Sequence, residues 1–156
     1  MTITAGAAST LAFFTSPSGS TGGVAFASQP VVAVQDAGGN KVTTSGAPVT
    51  LTITTPAGAT LACSANPTNA VAGVATFVGC SISLKTGTYT LTAASSGLAN
   101  GVSASFTISV GPATQLAFTT SPSSSTAVNT GFAAQPVVTV QDAGGNKVTT
   151  RQPRSP

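Results

Sequence analysis

The sequence predicts an all-β protein: a complete antiparallel β-sandwich followed by the opening strands of another. Three observations predict it. Short runs of alternating apolar and polar residues recur at roughly 8–12-residue intervals, with Gly, Pro, Asn or Ser between them. No segment carries a sustained 3.6-residue apolar stripe with caps, as an amphipathic helix would. The 156 residues are 41% apolar, 4% charged and of positive mean hydropathy, and Ser and Thr dominate the polar remainder. Low charge with low hydrophobicity would mean disorder, but low charge with this apolar content is a foldable β composition.

The strands follow in chain order. FASQPVVAVQ (26–35) sets Phe26, Val32 and Val34 on one face and Gln29, Ala33 and Gln35 on the other. DAGGN (36–40) supplies Gly38, Gly39 and Asn40 for positive-φ turn positions. VTLTIT (49–54) alternates Val49, Leu51 and Ile53 with Thr50, Thr52 and Thr54. GVATFVGC (73–80) and SISL (81–84) continue the pattern, and GTYTLTA (87–93) turns Tyr89, Leu91 and Ala93 inward. GVSASFTISV (101–110) gives the longest alternation, with Val102, Ala104, Phe106, Ile108 and Val110 expected on one buried face. About seven strands are expected in the full unit.

The chain repeats itself. TLAFFTSPSGS (10–20) returns as QLAFTTSPSSS (115–125), an offset of 105, and FASQPVVAVQDAGGNKVTT (26–44) returns as FAAQPVVTVQDAGGNKVTT (132–150), an offset of 106. The match extends backwards, because MTITAGAASTLAFF (1–14) aligns with FTISVGPATQLAFT (106–119). Residues 1–5 therefore correspond to the last strand of a preceding unit, 6–110 to one complete unit, and 111–150 to an incomplete one. Such a unit is far longer than a solenoid repeat. The tail 151–156, RQPRSP, matches nothing in the first unit as it stands. A one-base shift of permissible codons turns it into Ser-Ala-Ala-Pro-Val-Thr, five of six positions of SGAPVT (45–50), so a frameshifted tail is expected.

The motifs VVAVQDAGGNKV, APVTLTIT, GVATF, GTYTLTA and SASFTISV together resemble the bacterial immunoglobulin-like tandem repeats of invasin- and intimin-type cell-surface proteins. The resemblance covers the full unit and the start of the next. It implies an immunoglobulin-like sandwich serving as a stalk segment that holds an adhesive domain away from the cell, and hence an extracellular or cell-surface location. Nothing in the chain resembles that terminal domain, a sortase motif or an export signal.

Candidate sites are few. Cys63 and Cys80 are the only cysteines; two Cys and no His cannot make a zinc site, and a redox pair would more often be C-x-x-C. They are read as a structural disulfide between strand ends, which places the mature protein in an oxidising compartment. Their separation of 17 is short for the inter-sheet bridge of immunoglobulin domains, so Leu91 stands where that bridge's second cysteine would be. Tyr89 reads as a tyrosine corner rather than a ligand-stacking ring. Asp36 and Asp142, the only acidic side chains, occupy equivalent positions and read as turn residues, since calcium would need several carboxylates. The Thr50/Thr52/Thr54 and Thr88/Thr90/Thr92 rows read as solvent faces.

No acid–base pair or triad can be assembled, so no enzyme activity, cofactor or metal is expected. The net charge of +3 includes Arg151 and Arg154 in the tail; the remaining three lysines are scattered, so no nucleic-acid surface is expected. No apolar run is long enough to span a membrane. For 111–150 three outcomes are open: disorder, docking on the complete unit, or completion by strands from another chain. The expected partners are neighbouring repeats, with self-association through 111–150 as a further possibility. The function expected is a structural spacer or stalk; the alternatives are a protein- or carbohydrate-binding module, or a fibre subunit assembling by strand exchange.

Overall fold

A computed structural model of the chain describes residues 4–55 and 58–149. The alternating segments form strands, and no helix occurs among the described residues. In chain order the first unit holds β1 (Thr10–Thr15), β2 (Ser20–Thr21), β3 (Val31–Gln35), β4 (Pro48–Thr55), β5 (Thr60–Ala62) and β6 (Thr68–Asn69). It continues with β7 (Val74–Thr76), β8 (Ser81–Ser83), β9 (Gly87–Ala94), β10 (Gly101–Val102) and β11 (Phe106–Ser109). These are more and shorter strands than the alternation alone predicts, because bulges and turns divide the longer runs.

One sheet has the order β1-β3-β7, and the other β2-β11-β9-β4-β6 with β10 also on β9. The opening segment thus contributes β1 to the first sheet and β2 to the second, where β2 lies parallel to β11. All other ladders are antiparallel, including the small β5·β8 pair. Leu11, Val32, Val34 and Ala75 from the first sheet meet Val49, Leu51, Tyr89, Leu91, Phe106 and Ile108 from the second in one core. The fold is therefore an all-β antiparallel sandwich. Phe26 closes one side, its ring 5.1 Å from that of Phe106 in an edge-to-face arrangement.

One expected strand face is corrected. Val102 and Ala104 do not share the buried face of Phe106 and Ile108: both are exposed, and Ser103 is buried instead. The alternation slips between residues 103 and 106 because side chains take over the ladder there. Ser103 Oγ accepts the Leu91 N–H, and Ser16 Oγ accepts the Ala104 N–H. Val110, expected inward, is likewise exposed. On β3, Ala33 is buried although it points away from the core, since it lies in an apolar groove with Phe14, Val31 and Val74.

The second unit contributes β12 (Gln115–Thr120) and β13 (Val137–Gln141), paired with each other. Their register repeats that of β1 and β3 position by position. Leu11↔Val34 and Phe13↔Val32 become Leu116↔Val140 and Phe118↔Val138, with the irregularity between Phe13 and Thr15 recurring between Phe118 and Thr120. Thr4 and Ala5 are not in a strand; the rest of the expected remnant 1–3 and the tail 151–156 lie outside the described residues.

Candidate functional site

Conserving a turn between two units is a local matter; the structure shows that this turn also acts at long range. In the first unit, Asp36 Oδ1 accepts the N–H groups of Gly38 and Asn40 and the Asn40 amide, a closed Asx-type loop. Gly39 takes a φ of 80°, which glycine adopts without strain. Asp36 Oδ2 is left to reach 30 residues back, accepting the Gly6 N–H at 2.8 Å. In the second unit Asp142 does the same, Oδ1 to Gly144 and Asn146, and Oδ2 to the Gly111 N–H at 2.9 Å. Gly6 and Gly111 are equivalent, each in the link that leads into its unit.

These donors favour the ionised form of both carboxylates. The Gly6 N–H, with those of Asn40 and Gly38 and the Asn40 amide, outweighs desolvation and holds Asp36 down to about 2. Burial pushes Asp142 up, but the Gly111, Asn146 and Gly144 hydrogen bonds together outweigh it and leave its carboxyl below the usual range.

The two loops differ in what covers them. Residues 142–146 lie against the first unit, with Asp142 fully buried and Asn146 and Gly144 buried too. They pack on the turn at Gly22–Gly23, whose own N–H groups are held by Ser109 and Ile82. The contact is backbone on backbone. A Cβ on Gly22 would run into the Asn146 amide, and one on Gly23 would sit 2.6 Å from the Ala143 carbonyl carbon. Reciprocally, a Cβ on Gly144 would lie 2.6 Å from the Gly23 nitrogen. Leu84, just past β8, donates its N–H to the Gly144 carbonyl at 2.7 Å. Gly111 is held between Thr21 and Asp142.

The candidate site is thus a junction between units, built from Gly22, Gly23 and Leu84 of the first unit and from Gly111 and Asp142–Asn146 of the second. Sequence reading placed Asp36 and Asp142 in turns but missed the glycines and Leu84. The available signal was the aspartate recurring with its Gly-Gly-Asn; the glycine lies 30 residues upstream in one unit and 31 in the other.

The other expected residues are elsewhere. Cys63 and Cys80 form a disulfide that continues the β5·β8 ladder by one step beyond Ala62↔Ser81. Tyr89 is buried and donates its hydroxyl to the Lys85 carbonyl at 2.6 Å, four residues upstream; burial raises its pKa. The Thr rows remain on outer faces, with Thr54 and Thr92 hydroxyls hydrogen-bonded at 2.7 Å. Among the described residues, no three His, Cys, Asp or Glu gather where a metal ion could be held.

No protein-family model matches the chain, and no curated protein sequence matches it. Among solved structures it is similar to one described as "Structure of surface layer protein SbsC, domains 4-9", at 20% identity and a TM-score of 0.42. The likeness covers 91% of this chain and 21% of that one, so the chain spans about a fifth of that structure. A likeness this loose carries no argument about function.

Proposed function

We propose that the chain is a stretch of a tandem-repeat spacer, whose work is mechanical: to hold successive β-sandwich units at a fixed disposition. The observation that carries this reading is the junction. Asp142 is fully buried between the link at Gly111 and its own loop, and the Gly144 carbonyl is tied to Leu84. Inter-domain contacts are ordinarily loose, so a buried, multiply hydrogen-bonded carboxylate at a link is a stiffening device.

The finer reading is an immunoglobulin-like stalk of the invasin or intimin kind, without catalysis. The splitting of the opening segment between both sheets and the Tyr89 hydroxyl bonded to nearby upstream backbone support the immunoglobulin-like part. An extracellular or surface location is supported by the disulfide, which persists in oxidising compartments.

Backbone ¹⁵N relaxation of the whole chain tests stiffness. Amides of 115–120 and 137–141 are expected to report the same rotational correlation time as those of β4 and β9, and Asp142→Ala to uncouple them. Faster, independent tumbling of the second unit in the unaltered chain would overturn the spacer reading.

A further inference from the structure

The molecule carries the junction loop twice, once covered and once open. Asp36–Asn40 and Asp142–Asn146 share the same hydrogen bonds within 0.1 Å, from Gly38 or Gly144 and from Asn40 or Asn146 to Oδ1, and from Gly6 or Gly111 to Oδ2. Their second glycines match too, Gly39 at φ 80° and Gly145 at φ 81°. Yet Gly38, Gly39 and Asn40 are exposed where Gly144 and Asn146 are buried. An identical surface with a known occupant in one place defines what fits it in the other.

The turn that does the covering also occurs twice. Ser20 Oγ bonds the Val24 and Ala25 carbonyls, and Thr126 Oγ1 bonds those of Thr130 and Gly131. The Val24 N–H returns to the Thr21 carbonyl as the Thr130 N–H does to Ala127. Position by position, Gly22–Gly23 becomes Val128–Asn129, and the positive φ of Gly23, 75°, is kept by Asn129 at 60°. The backbone is the same and the side chains are not. Val128 projects from it, 90% exposed.

We propose that the Asp36–Asn40 loop is a docking surface for a turn bearing Gly-Gly, supplied by a unit preceding residue 6. Glycine at both turn positions is the condition for docking, so the Val128–Asn129 turn refuses a loop of this kind. This deepens the spacer reading and rests on it. A valine Cβ at the position of Gly22 meets the asparagine amide of the incoming loop, and any Cβ at the position of Gly23 meets its backbone, which has no rotamer to move. The latched junction is therefore specific to a Gly-Gly turn, and units with the valine-asparagine turn meet their successors in some other way. The identity of two residues sets which joints of an array are stiff.

Two variants of the whole chain test this. Gly22→Val/Gly23→Asn copies the second unit's residues into the first. Hydrogen exchange at the Leu84 amide is expected to rise at least about tenfold, while the Leu91 amide in the core keeps its protection. Unchanged protection at Leu84 would overturn the gate. Asp142→Ala frees the Gly22–Gly23 turn, which should then take the Asp36–Asn40 loop of a second molecule. Amide shifts of Gly38, Gly39 and Asn40 are expected to move with protein concentration up to the millimolar range, and to stop moving when Gly22→Val is added. No movement in Asp142→Ala, or movement that survives Gly22→Val, would overturn the docking surface. Uncoupled tumbling in the unaltered chain would instead defeat the spacer reading, so the two failures are distinguishable.

Discussion

At the scale of single residues, Asp36 shows how a short acidic side chain organises backbone. Its oxygens face N–H donors from Gly6, Gly38 and Asn40 and the Asn40 amide, and each favours the ionised form. The folded carboxyl sits at about 2 against an ordinary 3.8. A lowered folded pKa contributes stability that is whole above the ordinary value and disappears as pH falls through the folded one. Asp142 is shifted in the same direction. The melting temperature should therefore hold steady from neutral pH to about 5 and fall between about 4 and 2. Because these are the only acidic side chains, Asp36→Asn/Asp142→Asn should melt lower at pH 7 and lose most of the acid slope. Thermal melts across that range check it, and a slope equal to that of the unaltered chain would assign acid lability elsewhere. The turn role of both residues was legible in D-A-G-G-N. Their bonds to Gly6 and Gly111 were not, since nothing in a local pattern says which distant N–H will be brought to the spare oxygen.

At the scale of elements, period-two alternation told which residues enter the core wherever the backbone ladder runs unbroken. Val49, Leu51 and Ile53 on β4 and Tyr89, Leu91 and Ala93 on β9 face inward as the pattern says. It failed at 101–105, where Ser103 and Ser16 hydroxyls replace ladder bonds and shift the phase by one. A serine in an alternating run looks like a solvent-facing residue whether it is one or not. The short β5·β8 pair has three residues a side and partly buried Leu61 with buried Ile82 as its apolar contribution. Cys63–Cys80 closes it. Cross-linking residues at a sequence separation of 17 removes loop entropy from the unfolded chain, on the order of 3 kcal/mol. Reduction should lower the unfolding free energy by about that amount in urea titrations. A shift below about 1 kcal/mol would mean the pair is already held by packing alone.

At the scale of the whole molecule, the two hairpins with one register have opposite fates. Leu11, Val32 and Val34 are covered by β4, β9 and β11, whereas Leu116, Phe118, Val138 and Val140 are 69%, 64%, 50% and 43% exposed on a two-stranded sheet that no other described strand faces. The stability of β12·β13 then comes from the 142–146 junction and its own ladder, since an isolated pair of strands is marginal in water. Amides of 115–120 and 137–141 should exchange at least about tenfold faster than their equivalents in 10–15 and 31–35, under conditions where the first unit stays folded. The same uncovered side chains are what a strand-exchanging fibre would use, and that reading makes the opposite forecast: protection in 115–141 that climbs with protein concentration as another molecule covers the face. Exchange measured at two concentrations separates them. Fast exchange at both leaves the spacer reading in place. Protection that rises with concentration would show that the open face finds its cover in another copy of the chain.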